Sequence, residues 1–174
     1  MTTLYDLTFP TLINALKTQQ SLLEKAEAFA AEKGTPVTDI TEARLAPDMW
    51  PVNQQISIVA LHATMTIAKL TGSPAANSVP FGPADLESTK KYVTETLASL
   101  AAVKPEDVNG KEGEIVQAMM GPGFTPSMKA VDYVQGYLLP NVYFHVTTLY
   151  GILRNKGLEL GKKDFLGLFV KIIP

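Results

Sequence analysis

The chain has 174 residues, of which 46% are hydrophobic and 18% are charged, and its net charge is −2. This length fits one domain, the apolar composition excludes an intrinsically disordered chain, and the charge balance excludes a basic nucleic-acid-binding surface. The chain has no cysteine and only two histidines, His62 and His145, which excludes disulfides, thiolate nucleophiles and a three-histidine metal site within one chain.

The first half of the chain predicts two long helices. Apolar residues at helical spacing predict a helix over Leu4–Lys33, and Gly34 is a typical stop signal after it. A short helix is expected over Thr38–Arg44. The second long helix is expected over Pro51–Thr71 and ends at Gly72. Its centre is apolar nearly all round, which is typical of a buried helix.

The third long helix and a small β-hairpin follow. Pro83 is expected to begin this helix, with Asp85 favourable at its positive end, and the helix should stop before Pro105. Two short segments around a glycine–proline–glycine turn, Ile115–Met120 and Phe124–Met128, predict the hairpin.

The fourth long helical segment is expected over Ala130–Asn155, with a kink or break near Pro140. The partly apolar tail, Leu158–Pro174, should pack on the other helices. Together, these predicted elements indicate a single all-α domain over residues 1–174, a four-helix bundle with a small β-hairpin between its third and fourth helices.

Two uncharged stretches, Met49–Ala68 and Tyr133–Leu153, are long enough to span a membrane. Both carry many polar residues, so we interpret them as helices buried inside the bundle. The N-terminus lacks the basic region and apolar run of a secretory signal. We therefore expect a cytoplasmic protein without membrane or nucleic-acid partners.

The two histidines and Asn141 form the most informative polar group. Asn141 precedes His145 by four residues, so both side chains point from one face of the fourth helix. Polar groups from two helices can meet inside a bundle, where ligand sites are commonly built. Three interpretations stay open: core histidines hydrogen-bonded to Asn141, Tyr143 or Tyr150, a polar pocket that binds a small molecule or transfers protons, and a metal site.

A proline-rich connector before the second long helix contains Asp48 and Trp50. Asp48 suits the N-terminal cap of that helix, or it is a carboxylate at the mouth of the bundle that orients a histidine or acts as a base. Trp50 is the only tryptophan. A tryptophan in this position is more often a plug in the core than a stacking platform.

Several segments of the chain resemble the DUF1993 family of bacterial and fungal proteins. They are Arg44–Met49 (RLAPDM), Leu139–Arg154 (LPNVYFHVTTLYGILR) and Leu160–Gly167 (LGKKDFLG), together with His62. The resemblance extends from about Tyr5 to Gly167, and the run around His145 is long enough to be specific.

This family is similar to the larger DinB/YfiT-like superfamily, which is described as a group of metalloenzymes. The resemblance implies a four-helix bundle with up-down-down-up connectivity, often as a dimer. It also implies a zinc, nickel or iron ion held by one histidine of the second long helix and a His-x-x-x-His pair of the last. His62 and His145 match two of these positions, and Asn141 stands where the third histidine would be. Superfamily members include thiol-dependent transferases and isomerases that use mycothiol, bacillithiol or glutathione.

The first functional hypothesis is a small-molecule-binding enzyme. Its catalytic residues would be His62, His145 and Asn141, with Asp48 and Tyr143 as helpers. A buried neutral histidine can act as a base, and an asparagine can hold a carbonyl oxygen or enolate. Such a site suits isomerisation, dehydration or cyclisation of a small hydrophobic molecule without a cofactor, for example in bacterial or fungal secondary metabolism.

Two alternatives come from other classes of protein. One is a non-catalytic homodimeric bundle that buries apolar tail residues against its partner; these residues are Phe165, Leu168, Phe169, Ile172 and Ile173. The other is a metalloprotein whose two histidines are supplemented by Asn141, Asp48 or water.

Overall fold

Four long helical segments build the part of the chain that the computed structural model describes, residues 2–170. In chain order, the elements are α1 (Leu4–Lys33), α2 (Thr38–Thr41), α3 (Val52–Thr71), α4 (Leu86–Ala102), a 3₁₀ turn (Pro105–Asp107), β1 (Ile115–Gln117), β2 (Ser127–Lys129), α5 (Ala130–Tyr133), a π-helical turn (Val134–Leu138), α6 (Leu139–Asn155) and α7 (Lys162–Leu166). The predicted helical bundle with a small hairpin is confirmed.

Local capping chemistry sets the ends of α1. The Thr3 side chain accepts a hydrogen bond from the Asp6 amide, and the Asp6 carboxylate accepts one from the Thr3 amide, which makes a capping box. At the other end, Gly34 adopts a φ of 64°, which glycine reaches without steric cost, and its amide bonds to the last turn. The predicted bounds of this helix are therefore confirmed.

Three predicted boundaries differ from the structure. Helix α2 ends at Thr41 rather than Arg44. Helix α4 begins at Leu86 rather than Pro83, because the Asp85 carboxylate caps it by accepting the Ser88 amide at 2.8 Å. The hairpin strands are shorter than expected and pair Ile115 with Lys129 and Gln117 with Ser127, and an isolated bridge from Gly121 to Phe124 closes the tip.

Helix α3 lies at the centre of the bundle. It packs on both α4 and α6, and α1 also packs on these two helices. Every residue from Val52 to Ala60 is buried, as the apolar pattern of this helix predicts. Within residues 2–170, no helix is long and apolar enough to cross a membrane.

The expected kink near Pro140 is a change of helical register. The chain continues from α5 through the π-helical turn into α6 without a break, and Pro140 lies in the first turn of α6. Proline has no amide hydrogen to donate to the preceding turn, and the wider π turn comes directly before it. Such turns occur frequently at functional sites, and this one precedes Asn141 and His145.

The described part of the tail packs on the bundle. Phe165 contacts the ring of Tyr150, with 6.1 Å between ring centroids, and an ion pair joins Lys25 to Asp164. Of the apolar tail residues expected to face a partner, Phe165 and Phe169 are partly buried and Leu168 is exposed. Ile172 and Ile173 lie outside the described residues.

Candidate functional site

His62 of α3 and His145 of α6 face each other where these two helices pack. Their ring centroids are 6.4 Å apart and the ring planes differ by 31°. Both side chains are buried, with 9% of His62 and 7% of His145 exposed. The structure therefore brings together two of the residues that the sequence singles out.

A hydrogen-bonded glutamine fixes the orientation of His145. The Nδ1 atom of His145 lies 2.7 Å from Oε1 of Gln55, and Nε2 of Gln55 donates to the Trp50 carbonyl at 2.9 Å. Because that second bond uses the amide nitrogen, the amide oxygen faces the imidazole and can only accept. Nδ1 of His145 therefore carries the hydrogen, and Nε2 carries the free lone pair.

Burial keeps both histidines neutral. Desolvation lowers the pKa of His62 to about 4. Desolvation, and secondarily the charge that His62 would carry, lower the pKa of His145 to about 4. At neutral pH each imidazole is thus an unprotonated base rather than a cation.

Aromatic rings surround the His145 imidazole. The Trp50 indole stacks on it with 5.7 Å between centroids and an angle of 11°, and Phe144 meets it edge-on at 5.2 Å. Trp50 is 37% exposed, so the expectation of a core plug is wrong. It forms a wall of the site because the rigid connector before α3 holds it beside α6.

A cleft of about 320 Å³ opens over His145. Its lining consists of Asp48, Met49, Trp50, Gln55, Asn141, Phe144 and His145. His62 is not part of this lining. The cleft therefore presents one of the two histidines to a small molecule.

Asp48 lies at the rim of the cleft and does not cap α3. The N-cap position of that helix is Pro51, which has no side-chain bond to the helix, so the capping interpretation of Asp48 is wrong. Asp48 is exposed, and no residue in the described part of the chain hydrogen-bonds or pairs with its carboxylate. This leaves the carboxylate free to interact with a molecule in the cleft.

Asn141 occupies the same cleft, one turn before His145. Its Nδ2 donates to the Tyr137 carbonyl at 2.6 Å, a bond made inside the π-helical turn and the start of α6. One amide hydrogen and the amide oxygen of Asn141 have no hydrogen-bond partner within residues 2–170. The structure thus brings Asn141, Asp48 and His145 to one opening.

Tyr143, considered as a helper, and Tyr150, considered as a partner of a histidine, lie elsewhere. Tyr143 is exposed and contacts Phe169, with 6.0 Å between ring centroids. The Tyr150 hydroxyl donates to the Leu160 carbonyl at 3.1 Å. Neither lines the cleft or bonds to a histidine, and the hydrogen-bond partner of His145 is Gln55.

Aromatic and hydroxyl-bearing side chains surround His62. The Tyr137 ring meets it edge-on at 5.7 Å. Thr66 bonds to the His62 carbonyl at 2.7 Å and to the Tyr133 hydroxyl at 2.9 Å. Burial raises the pKa of Tyr133 to about 12. Within residues 2–170, no side chain hydrogen-bonds to the His62 ring.

The donor set does not fit the metal site that the resemblance implies. Within residues 2–170, no cluster of three His, Cys, Asp or Glu side chains could hold a metal ion. His62, His145 and Asn141 offer two imidazoles and one amide oxygen, a weak set for zinc or nickel. A tetrahedral ion with metal–nitrogen bonds of about 2.0–2.1 Å would hold the ring centres roughly 5 Å apart, whereas they are 6.4 Å apart.

The sequence contains a signal for Gln55 that helical spacing alone could have revealed. Gln55 precedes His62 by seven residues, which is two turns, so both point from the same face of α3. The signal is hidden because Asn53, Gln54 and Gln55 are consecutive polar residues.

Comparisons with known proteins agree with this fold. The family model described as "Domain of unknown function (DUF1993)" matches residues 4–166. The crystal structure of a DinB family member protein from Shewanella denitrificans is similar over 98% of this chain and 96% of that chain, with a TM-score of 0.82 and 30% sequence identity. No curated protein matches the sequence.

Proposed function

Because the chain belongs to the DUF1993 family and has a DinB-like fold, its chemistry must be argued from the site, and we propose that it is a small-molecule enzyme with His145 as general base. The observation that carries this proposal is the 2.7 Å hydrogen bond from His145 Nδ1 to Gln55. It fixes the tautomer whose Nε2 lone pair can accept a proton.

The Gln55 bond also supports the step in which His145 becomes charged. When Nε2 takes a proton, Nδ1 keeps its hydrogen and its bond to the Gln55 oxygen, so no side chain has to reorganise. The Trp50 carbonyl holds the glutamine in place at 2.9 Å. Preorganised partners of this kind lower the cost of charge that develops during a reaction.

Asn141 and Asp48 supply polar groups next to the base. The free amide hydrogen of Asn141 can donate to a substrate carbonyl oxygen, which stabilises an enolate after a proton leaves the adjacent carbon. The Asp48 carboxylate at the rim can accept a hydrogen bond from a substrate hydroxyl. His62, which is neutral and whose ring centroid lies 6.4 Å from that of His145, is a positioning residue in this scheme.

The walls of the cleft favour a small, flat and largely apolar substrate. Trp50 and Phe144 offer aromatic surface on two sides of the imidazole, and Met49 adds an apolar contact. The proposed reaction is removal of a proton from a carbon next to a carbonyl, followed by isomerisation, elimination of water or ring closure. Each of these needs a base and a carbonyl-binding group, and no redox cofactor.

A base-sensitive compound tests this proposal without knowledge of the natural substrate. We expect 5-nitrobenzisoxazole, a flat molecule that opens when a base removes its ring proton, to react at least about tenfold faster with the wild type than with the His145→Ala variant. The rate should be constant above about pH 5.5 and fall towards pH 4, because the pKa of His145 is about 4.

An exposed residue provides the control for this assay. The Asn155→Ala variant, altered at the exposed end of α6, should keep the wild-type rate. Equal rates for the wild type and the folded His145→Ala variant would contradict the proposal, as would a rate that falls with a midpoint near pH 6.5.

A further inference from the structure

A second cavity of about 450 Å³ has Trp50 in its lining. The residues of its lining that matter here are Glu42, Arg44, Trp50, Gln54, Phe81 and Asp85. Of these, only Trp50 also lines the cleft at His145. The two openings are therefore neighbours with different chemistry.

Gln54 lines this cavity with a side-chain amide that has no hydrogen-bond partner in the described part of the chain. Its side chain is 5% exposed, and no residue in the range 2–170 hydrogen-bonds to its amide group. The residues before and after Gln54 in the sequence do have side-chain hydrogen bonds. Asn53 donates to Glu42 at 3.0 Å, and Gln55 bonds to Trp50 and His145. The atoms of its amide are not among the fully enclosed, unpartnered polar atoms of the described residues, so Gln54 offers an accessible N–H and C=O to a molecule in the cavity.

Two aromatic rings line the same cavity as this amide. Trp50 and Phe81 meet edge-to-face, with 5.7 Å between centroids and an angle of 71°. Phe81 is 72% exposed although it is a large apolar side chain. The two rings form a corner whose faces suit a flat ring, since aromatic groups associate by stacking or by edge-to-face contact.

The charges of the lining disfavour an anion. Arg44 is the one cation of the lining, and it donates to the Met49 carbonyl at 2.7 Å. Glu42 and Asp85 are carboxylates, and hydrogen bonds from Ser88 hold the pKa of Asp85 below its ordinary value. Two negative charges against one positive charge make an anionic ligand unfavourable.

We propose that this cavity binds a neutral, planar ring with adjacent N–H and C=O groups, such as a lactam or an aromatic carboxamide. The amide of Gln54 pairs with both groups of the ligand, donor to acceptor and acceptor to donor. The ring lies in the corner between Trp50 and Phe81. This site is independent of the general-base chemistry proposed for His145.

Binding of 2-pyridone, a small lactam, tests the assignment. In ¹H–¹⁵N spectra of the full-length wild type, we expect saturable shifts of the Gln54 side-chain amide and the Trp50 indole signals. N-methyl-2-pyridone, which lacks the N–H group, and benzoate, which is a flat anion, should each bind at least about tenfold more weakly. Equal binding of either compound, or no saturable shift of the Gln54 signal, would overturn the proposal.

A matched pair of variants separates this site from the rest of the protein. Gln54→Met should weaken 2-pyridone binding about tenfold, whereas Gln20→Met, altered at an exposed glutamine of α1, should leave it unchanged. Unaltered binding by Gln54→Met would overturn the assignment. If Gln54→Met fails to fold, the comparison of 2-pyridone with N-methyl-2-pyridone on the wild type still tests the proposed site. The binding measurements do not depend on the reaction with 5-nitrobenzisoxazole.

Discussion

Lowering the pH from 7 to 4 should reduce the free energy of unfolding by about 6 kcal/mol through the two histidines alone. In the unfolded chain, each takes up a proton near the ordinary histidine pKa of 6.5, whereas in the fold each has a pKa of about 4. Between these values the unfolded state binds more protons, so acid favours it. Each shift corresponds to on the order of 3 kcal/mol. The stability is fully present above pH 6.5 and is lost as the pH falls to 4.

Urea unfolding followed by circular dichroism at pH 7, 5.5 and 4.5 measures this dependence. The His145→Gln variant should lose about half of the pH dependence in this window, and the His62→Gln/His145→Gln double variant should lose most of it. Carboxylates with lowered pKa values, such as that of Asp164, act mainly below this window. An equal loss of stability in the wild type and the double variant would show that the histidines are not held neutral.

The Gln55→Glu substitution should raise the pKa of His145 by about 1–3 units, because a carboxylate at hydrogen-bond distance stabilises the imidazolium. The expected shift is large because the side chains of Gln55 and His145 are both buried and lie 2.7 Å apart. An NMR titration of the His145 ring protons measures the pKa directly.

The same substitution should change the chemistry of the cleft. The pH at which the reaction of 5-nitrobenzisoxazole slows should rise with the pKa of His145, since a protonated imidazole is no longer a base. Gln20→Glu adds the same charge at an exposed position of α1 and serves as the control. If both variants leave the pKa of His145 unchanged, the Gln55–His145 bond does not exist in solution.

The helices can be predicted from local signals in the sequence, and most of their ends can be predicted as well. The stop signals Gly34 and Gly72 end α1 and α3 where they are predicted, because each takes a positive φ that glycine tolerates. The start of α4 is displaced because Asp85 caps it, and capping competes with the preference of Pro83 for a first turn. Local chemistry of this kind can be read from neighbouring residues.

The candidate site could be predicted only in part. Helical spacing places Asn141 and His145 on one face, and the rarity of histidine in the chain singles out His62. The role of Gln55 depends on how α3 is rotated against α6, and the stacking of Trp50 depends on the path of a connector. The π-helical turn before Pro140 shifts the register of the helix that carries the site, and no local pattern distinguishes it from a kink.

The state of the His145 ring is the property on which the proposed chemistry depends most directly. Long-range ¹H–¹⁵N NMR of the wild type identifies the tautomer and follows protonation as the pH is lowered. We expect a neutral ring at pH 7 with the hydrogen on Nδ1, and protonation with a midpoint near pH 4. A hydrogen on Nε2, or protonation near pH 6.5, would contradict His145 as a base that faces the cleft.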